Sequence, residues 1–471
     1  MSRVLMVASE AAPLIKTGGL GDVVGSLPFA LREFGHRVAV AIPRYGPTDL
    51  KRLRRVYDRL PIFLGPARYD TSIYQAGEEV PVFLVDCPPL YERPGLYGEA
   101  GEDYPDNHIR FAVFARASLG VARFLFRPDV LHCHDWQASL VPVYLRTLLA
   151  SDPTFFGAKT LLTIHNLGYQ GLFPKTVLPE VALNGFRPDG MDFFGRVSYL
   201  KGGITFADAL NTVSPTYARE IQTPELGFGL DSELRSRSDA LTGILNGADY
   251  KEWNPETDPL IPARYSAHDL DGKRICKRDL LLEFGLPASA MRTPLIGIVS
   301  RLAPQKGMDW IPEIAPEIVA EGMSLVAVGT GDPAMEEAFR RMAAAYPEQI
   351  AVRIGFDNAL AHRIEAGADI FVMPSRYEPC GLNQMYSLRY GAVPVVRATG
   401  GLDDTIDKDT GFKFADASAT ALLEAVRAAA KVFASPDSWQ EMMRRGMARD
   451  FSWKASAAAY SALYGRLSRI L

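Results

Sequence analysis

The residues best suited to chemistry lie where apolar runs end. After the run 3–8 comes Lys16-Thr17-Gly18-Gly19-Leu20, continued by Gly21-Asp22-Val23. Glycines between a strand and a helix let backbone N–H groups approach an anion, a helix N-terminus adds partial positive charge, and Lys16 adds a full one. The implied chemistry is phosphate binding, and the plain alternative is a glycine turn with no ligand. A dinucleotide fingerprint G-x-G-x-x-G starting at Gly19 and Gly21 requires glycine at 24, where the chain has Val24. The second run also ends in Pro43-Arg44 rather than an acidic ribose ligand, so hydride transfer is disfavoured.

Two more run ends carry histidine: His134-Asp135-Trp136 after 129–133, and His165-Asn166-Leu167-Gly168-Tyr169 after 159–164. Each sets an imidazole beside a carboxylate or amide at the carboxyl end of a run, where α/β proteins gather ligands. His132 alternates into its strand and reads as a hydrogen-bonded core residue, whereas His134 reads equally as an orienting core histidine or a ligand contact.

In the second half, 294–299 leads into Ser300-Arg301-Leu302-Ala303-Pro304-Gln305-Lys306-Gly307. Arg301 as a fork and Lys306 as a mobile point charge can clamp a diphosphate; the alternative is a surface pair. Glu378 precedes Pro379-Cys380-Gly381-Leu382 and a new helix, where a carboxylate can bond sugar hydroxyls while helix-start amides face phosphate. Thr399-Gly400-Gly401-Leu402 offers further backbone donors. No metal is expected, because zinc-type C-x-x-C spacing is absent and Arg301 with Lys306 can neutralise a leaving group.

These loops need strands and helices to hold them. Apolar runs recur at 3–8, 37–42, 80–85, 129–133, 159–164 and 209–213, then at 294–299, 324–328, 349–354, 369–372 and 393–396. Helix-like stretches such as 21–34, 106–126, 359–366 and 382–390 alternate with them, which predicts α/β units with parallel sheets covered on both faces. One open sheet rarely holds so many strands. A Gly/Asn/Asp/Pro-rich stretch at 243–259 predicts two doubly wound domains, 1–244 and 245–452, followed by an Ala-rich helix over 453–471.

The 471 residues exceed what one ordinary core supports, and 48% hydrophobic with 23% charged residues is a globular composition. A formal net charge of −4 gives no electrostatic case for nucleic acid or an anionic membrane. The basic run Lys51-Arg52-Leu53-Arg54-Arg55 reads as a solvated face. Four scattered cysteines, an apolar run at 4–8 too short for a signal peptide, and no bilayer-length stretch predict a cytoplasmic protein.

Taken together and in order, these motifs, with Thr212-Val213-Ser214-Pro215-Thr216-Tyr217-Ala218 and Gly243-Ile244-Leu245-Asn246-Gly247, closely resemble the bacterial glycogen synthases and plant starch synthases. The resemblance implies a GT-B architecture: two Rossmann-like domains facing a deep cleft, with a C-terminal helix crossing back to the first. It implies retaining, metal-free transfer of glucose from ADP-glucose to an α-1,4-glucan, with no cofactor. By that resemblance, Lys16 and the Gly18 and Gly19 amides approach the diphosphate or the transferred glucose, with Asp22 beside them. Arg301 and Lys306 stabilise departing ADP, and Glu378 holds donor hydroxyls. His165, beside Asn166, steadies an oxocarbenium-like centre through its side chain or carbonyl. Asp135 and Asn246 line the cleft, and Phe356 packs on adenine. Cys380, Gly381, Leu382, Thr399, Gly400 and Gly401 join the binding surface.

The E-x7-E pair of many retaining transferases is incomplete: Glu378 is present, but the second position is Tyr386, a lack the ADP-glucose synthases share. Asn383 stands where threonine is frequent. Retention by front-face attack fits the cations better than double displacement, for which no nucleophile is identified. The competing readings are a sucrose or trehalose-phosphate synthase, a pyridoxal-phosphate-dependent phosphorylase, and a non-catalytic glucan binder.

Overall fold

Residues 1–49, 51, 53–99, 101–185 and 188–468 are described by a computed structural model, so Arg52 of the basic run and the last three residues of the expected C-terminal helix lie outside the described residues. The chain forms two units: Met1–Val213 with Ala218–Gly247 and Trp453–Leu471, and Ala248–Ser452 with Ser214–Tyr217. The division falls at Gly247, not at 244. Ser214–Tyr217 goes with the second unit because Asp404 accepts from Thr216 N at 2.9 Å and Thr216 Oγ1 at 2.7 Å.

The first unit holds a nine-stranded sheet. Its order is Leu241–Gly243, Ala209–Thr212, Lys159–Ile164, Val130–His134, Arg3–Val7, Arg37–Pro43, Val82–Asp86, Ala67–Ala76, Arg54–Leu64. Strands buried along their length, such as Val130–His134, pair in parallel. The last two pair antiparallel. Exposed and buried residues alternate along the second half of Arg54–Leu64, and Pro61 is tolerated there because this strand lies at the sheet edge. Arg54 and Arg55 begin that edge strand with their side chains outward.

The second unit holds a fully parallel six-stranded sheet, ordered Ile350–Ile354, Ser324–Gly329, Leu295–Val299, Ile370–Met373, Val393–Arg397, Phe412–Phe414. Each sheet has a switch point where neighbouring strands lead away in opposite directions. One lies between Arg3–Val7 and Val130–His134, the other between Leu295–Val299 and Ile370–Met373. No crossover can cover the carboxyl ends there, which leaves a crevice for ligands.

Helix Trp453–Leu467 belongs to the first unit, where it packs on helix Gly19–Glu33 and contributes Tyr460, Leu463 and Tyr464 to the core. A buried chain of hydrogen bonds fastens it. Thr163 Oγ1 donates to Asn211 Oδ1 at 2.5 Å and therefore accepts from His132 Nε2 at 2.5 Å. His132 Nδ1 is then bare and accepts the Tyr464 hydroxyl at 2.8 Å, while Asn211 Nδ2 donates to the Tyr460 oxygen at 3.0 Å. The order of donors fixes His132 as the neutral Nε2–H tautomer. No helix among the described residues is long and apolar enough to cross a membrane.

Burial lowers the pKa of His132 and of His165 to about 3 and puts His134 well below its usual range. The unfolded chain thus binds more protons between about pH 3 and 6.5, so these histidines make stability rise with pH across that window. Asp135, raised to about 7 by desolvation, acts oppositely: it holds its proton in the fold, and its contribution declines from about pH 4 to 7. The expected result is that 15N ring shifts of these three histidines stay at neutral values from pH 7.5 down to 5. A ring titrating near 6.5 would contradict the assignment. Asp135→Asn removes the opposing carboxyl and steepens the loss of thermal stability between pH 6.5 and 4.5.

Candidate active site

In the first unit, strand Arg3–Val7 runs into fully buried Ala8 and Ser9 and then Glu10, which is 3% exposed. The chain doubles back through an Ala11–Ile15 bridge and a 2.9 Å bond from Ala12 N to Gly21 O. Gly21 is needed for this return, since a Cβ there would lie 2.4 Å from the Cβ of Lys16. Lys16, Thr17, Gly18 and Gly19 are exposed. Lys16 Nζ bonds Asp22 Oδ1 at 2.8 Å in the first turn of the helix, so Asp22 aims the cation.

The Gly18 amide turns inward, toward Glu10 Oε2 at 3.4 Å, beside the stronger 2.5 Å bond from Thr17 N. Glu10 also accepts from Thr17 Oγ1 at 2.8 Å and from the Tyr97 hydroxyl. The run-end reading missed Glu10 because Tyr97 is 87 residues away; the only signal was an acid closing an apolar run.

Asp135 takes positive φ, 56°, at the end of Val130–His134, and its Oδ1 accepts His165 N at 2.7 Å. The residue is half-buried, but its carboxyl lies below the surface against the His165 and Asn166 amides, which only partly offset its desolvation. Asp135 thus sets the His165–Asn166 turn. His165 Nε2 shares a 2.9 Å bond with His134 Nδ1, and His134 stacks on His132 at 4.1 Å. His134 is therefore an orienting residue, and His165 is held as a neutral ring. The Asn166 amide oxygen accepts Gly168 N at 3.0 Å, closing its own turn. Asn246 is buried, with its Oδ1 lacking a hydrogen-bond partner among the described residues. Ser456 holds its segment through a 2.6 Å bond to Leu245 O.

In the second unit, the loops after Leu295–Val299 and Ile370–Met373 are tied together. Arg376 donates its N–H to Gln305 O at 2.8 Å, forks onto Asp309 and lies 4.4 Å over Trp310. Gly307 takes φ 66°, with a Cβ there 2.1 Å from Pro374 O. This frame presents Lys306 Nζ 2.5 Å from Glu378 Oε2, with Ser375 Oγ on the same oxygen at 3.0 Å. Glu378 is buried, whereas Arg301 is exposed with one amino group 3.1 Å from Gln305 Oε1.

The Thr399–Gly401 turn packs against the loop that carries Glu378. Gly400, at φ 46°, and Gly401 exist for close packing, since Cβ atoms would fall 1.9 Å from Glu378 O and 2.2 Å from Cys380 O. The Gly401 amide serves Glu378 O and Pro379 O, each at 3.2 Å. The turn thus supports the Glu378 backbone. Gly381, at φ 72°, opens the turn before Leu382, the residue preceding helix Asn383–Tyr390, and Cys380 is a buried free thiol. Asn383 Nδ2 donates to Val299 O at 2.9 Å, tying helix start to strand end. Tyr386 is stacked on Trp253 at 4.2 Å, and Trp253 on His362 at 3.7 Å, so the position that elsewhere carries a second glutamate is given to packing. Phe356 is 87% exposed after Gly355, a free ring face in this unit.

No group of three or more His, Cys, Asp or Glu side chains placed to hold a metal occurs among the described residues. The Asp-x-Asp pairs serve turns: Asp269 Oδ1 accepts Asp271 N and Asp407 Oδ1 accepts Asp409 N, both at 3.0 Å.

Known proteins resemble this chain in sequence and fold. The family model for the starch synthase catalytic domain matches residues 3–236, and that for glycosyl transferases group 1 matches 293–431. The chain is 48% identical to a glycogen synthase of Koribacter versatilis over 99% of its own length and 98% of the relative's. It is 52% identical to one from Anaeromyxobacter sp. (strain Fw109-5), with 99% of each chain covered. Among solved structures, the catalytic domain of starch synthase IV from Arabidopsis thaliana, bound to ADP and acarbose, superposes with TM-score 0.90 at 34% identity over 99% of both chains. A sucrose-phosphate synthase from Thermosynechococcus elongatus, at TM-score 0.62 and 19% identity over 99% of both chains, shares the fold alone. With two switch-point sheets and these matches along its whole length, the chain belongs to the glycogen and starch synthase family of GT-B glycosyltransferases.

Proposed function

We propose that this glycosyltransferase moves glucose from ADP-glucose to the non-reducing end of an α-1,4-glucan with retention of configuration and without a metal. The observation that carries the reading is the Lys306–Glu378 pair: an ammonium fixed by a buried carboxylate at a switch point, with exposed Arg301 five residues before the lysine. Such cations suit the charge that builds on a departing diphosphate, and Glu378 suits sugar hydroxyls. The ADP in the Arabidopsis relative supports an adenine donor, for which exposed Phe356 offers a stacking face. We read the compartment as cytosolic, since all four cysteines are free and buried.

In front-face transfer, the phosphate oxygen of the leaving group takes the proton of the acceptor 4-hydroxyl as the new bond forms on the same face. Negative charge on that oxygen grows as its bond to the sugar breaks, so Arg301 and Lys306 stabilise the transition state more than the bound donor and act chiefly on turnover.

The deciding experiment supplies ADP-glucose or UDP-glucose with glycogen and follows chain elongation. ADP-glucose is expected to be preferred. Failure to elongate, with transfer to fructose or a sugar phosphate instead, would replace the reading by that of a sucrose- or trehalose-phosphate-type synthase. Activity is expected to survive exhaustive EDTA; loss restored by Mg2+ would refute metal independence. Lys306→Ala is expected to cut kcat by roughly 100-fold or more, the scale of losing one transition-state charge stabiliser. Near-normal kcat in a folded variant would remove the phosphate-clamp role.

A further inference from the structure

We infer that Glu10 is a positioning residue for glycosyl transfer, setting Lys16 through its grip on the two residues that follow. The inference rests on the proposed function for what Lys16 does, but the grip itself is geometric.

Four donors converge on this one carboxylate. Oε2 receives Thr17 N at 2.5 Å and Gly18 N at 3.4 Å, while Oε1 receives Thr17 Oγ1 at 2.8 Å and the Tyr97 hydroxyl. Tyr97 OH also lies 2.8 Å from Ser9 Oγ, beside the strand end, and Asn107 Nδ2 holds Tyr97 O at 2.8 Å from the start of helix Asn107–Val121. The carboxylate is therefore pinned between a buried strand end and a helix start.

The loop it holds has little else. Residues 16–19 are exposed, and a Cβ built on Gly18 or Gly19 meets no atom within 4 Å. Packing does not fix this backbone, so hydrogen bonds must. Besides the grip on Glu10, the 2.8 Å contact of Lys16 with Asp22, the 3.2 Å bond from Gly21 N to Gly18 O and the Ala11–Ile15 bridge anchor the segment.

The charge arrangement favours positioning over ion pairing. A buried carboxylate near a lysine would ordinarily take the lysine as partner. Here the ammonium bonds Asp22, and amides and hydroxyls satisfy Glu10. The cation is left at the exposed surface. Glutamine cannot reproduce this: its one carbonyl can face the two amides, which cannot reverse, only if its NH2 faces both hydroxyls and forces each to turn.

The test is a double-mutant cycle on the full chain with the donor that the wild-type enzyme uses, joined to hydrogen exchange. Glu10→Ala is expected to lower kcat about 100-fold, as for a misplaced reacting group, with donor KM within about threefold. Glu10→Gln, the variant less disruptive to folding, is expected to fall about tenfold. In a Lys16→Ala background, Glu10→Ala should cost less than about threefold, because the group it positions is gone. Equal fold-losses with and without Lys16 would overturn the proposal. Amide exchange over 16–20 should quicken in both Glu10 variants while the sheet stays protected. Unchanged exchange there would overturn it even if the wild-type enzyme proved to use another sugar donor, so the two readings fail separately.

Discussion

A carboxylate taken out of water must find donors, and much of both sites follows from three that end strands or strand-end loops. An unpartnered buried carboxylate costs several kcal/mol. Glu10 is satisfied by the glycine loop and Tyr97, Asp135 by the His165–Asn166 turn, and Glu378 by Lys306 and Ser375. The donors come from the same strand-end loop or from a segment packed beside it. Satisfying the charge therefore orders a loop with few apolar contacts of its own, and a sheet edge with free backbone becomes a set of placed functional groups.

The glycines divide along the same line. Gly21, Gly307, Gly400 and Gly401 are compelled by backbones approaching where a methyl would collide. Gly18 and Gly19 meet nothing, so crowding inside the protein does not explain them. Their bareness faces outward, which is the condition for close approach of a ligand. The two classes look identical in sequence, since Gly18-Gly19 and Gly400-Gly401 are both pairs at the start of a helix.

What could be read in the sequence was what parallel sheets impose locally. Strands covered on both faces appear as unbroken apolar runs, and their carboxyl ends collect Lys16, Asp135, His165, Arg301, Lys306 and Glu378. The antiparallel edge hairpin, Arg54–Leu64 with Ala67–Ala76, escaped because its residues alternate with solvent and its opening arginines resemble a solvated face. The placement of Ser214–Tyr217 escaped because it depends on Asp404, 188 residues from Thr216. Partnerships were the part hardest to see. Asn166 serves Gly168 and Gly401 serves Glu378, yet either residue type in a loop looks equally ready for a ligand.

Those partnerships bear on how configuration is retained. Double displacement needs a carboxylate free to attack the anomeric carbon from the face opposite the leaving group. In the first unit, Glu10 is enclosed by four donors, Asp22 is held by Lys16, and Asp135 is bound to two amides with a pKa near 7 that leaves it protonated much of the time. In the second unit, Tyr386 stands where a second glutamate would be, buried in a stack with Trp253. Each of these acids is already engaged by hydrogen-bond donors, which makes it a weaker nucleophile. Front-face attack asks for none. It requires cations held still by their surroundings, and each unit holds one by a carboxylate: Lys16 by Asp22 in the first and Lys306 by Glu378 in the second.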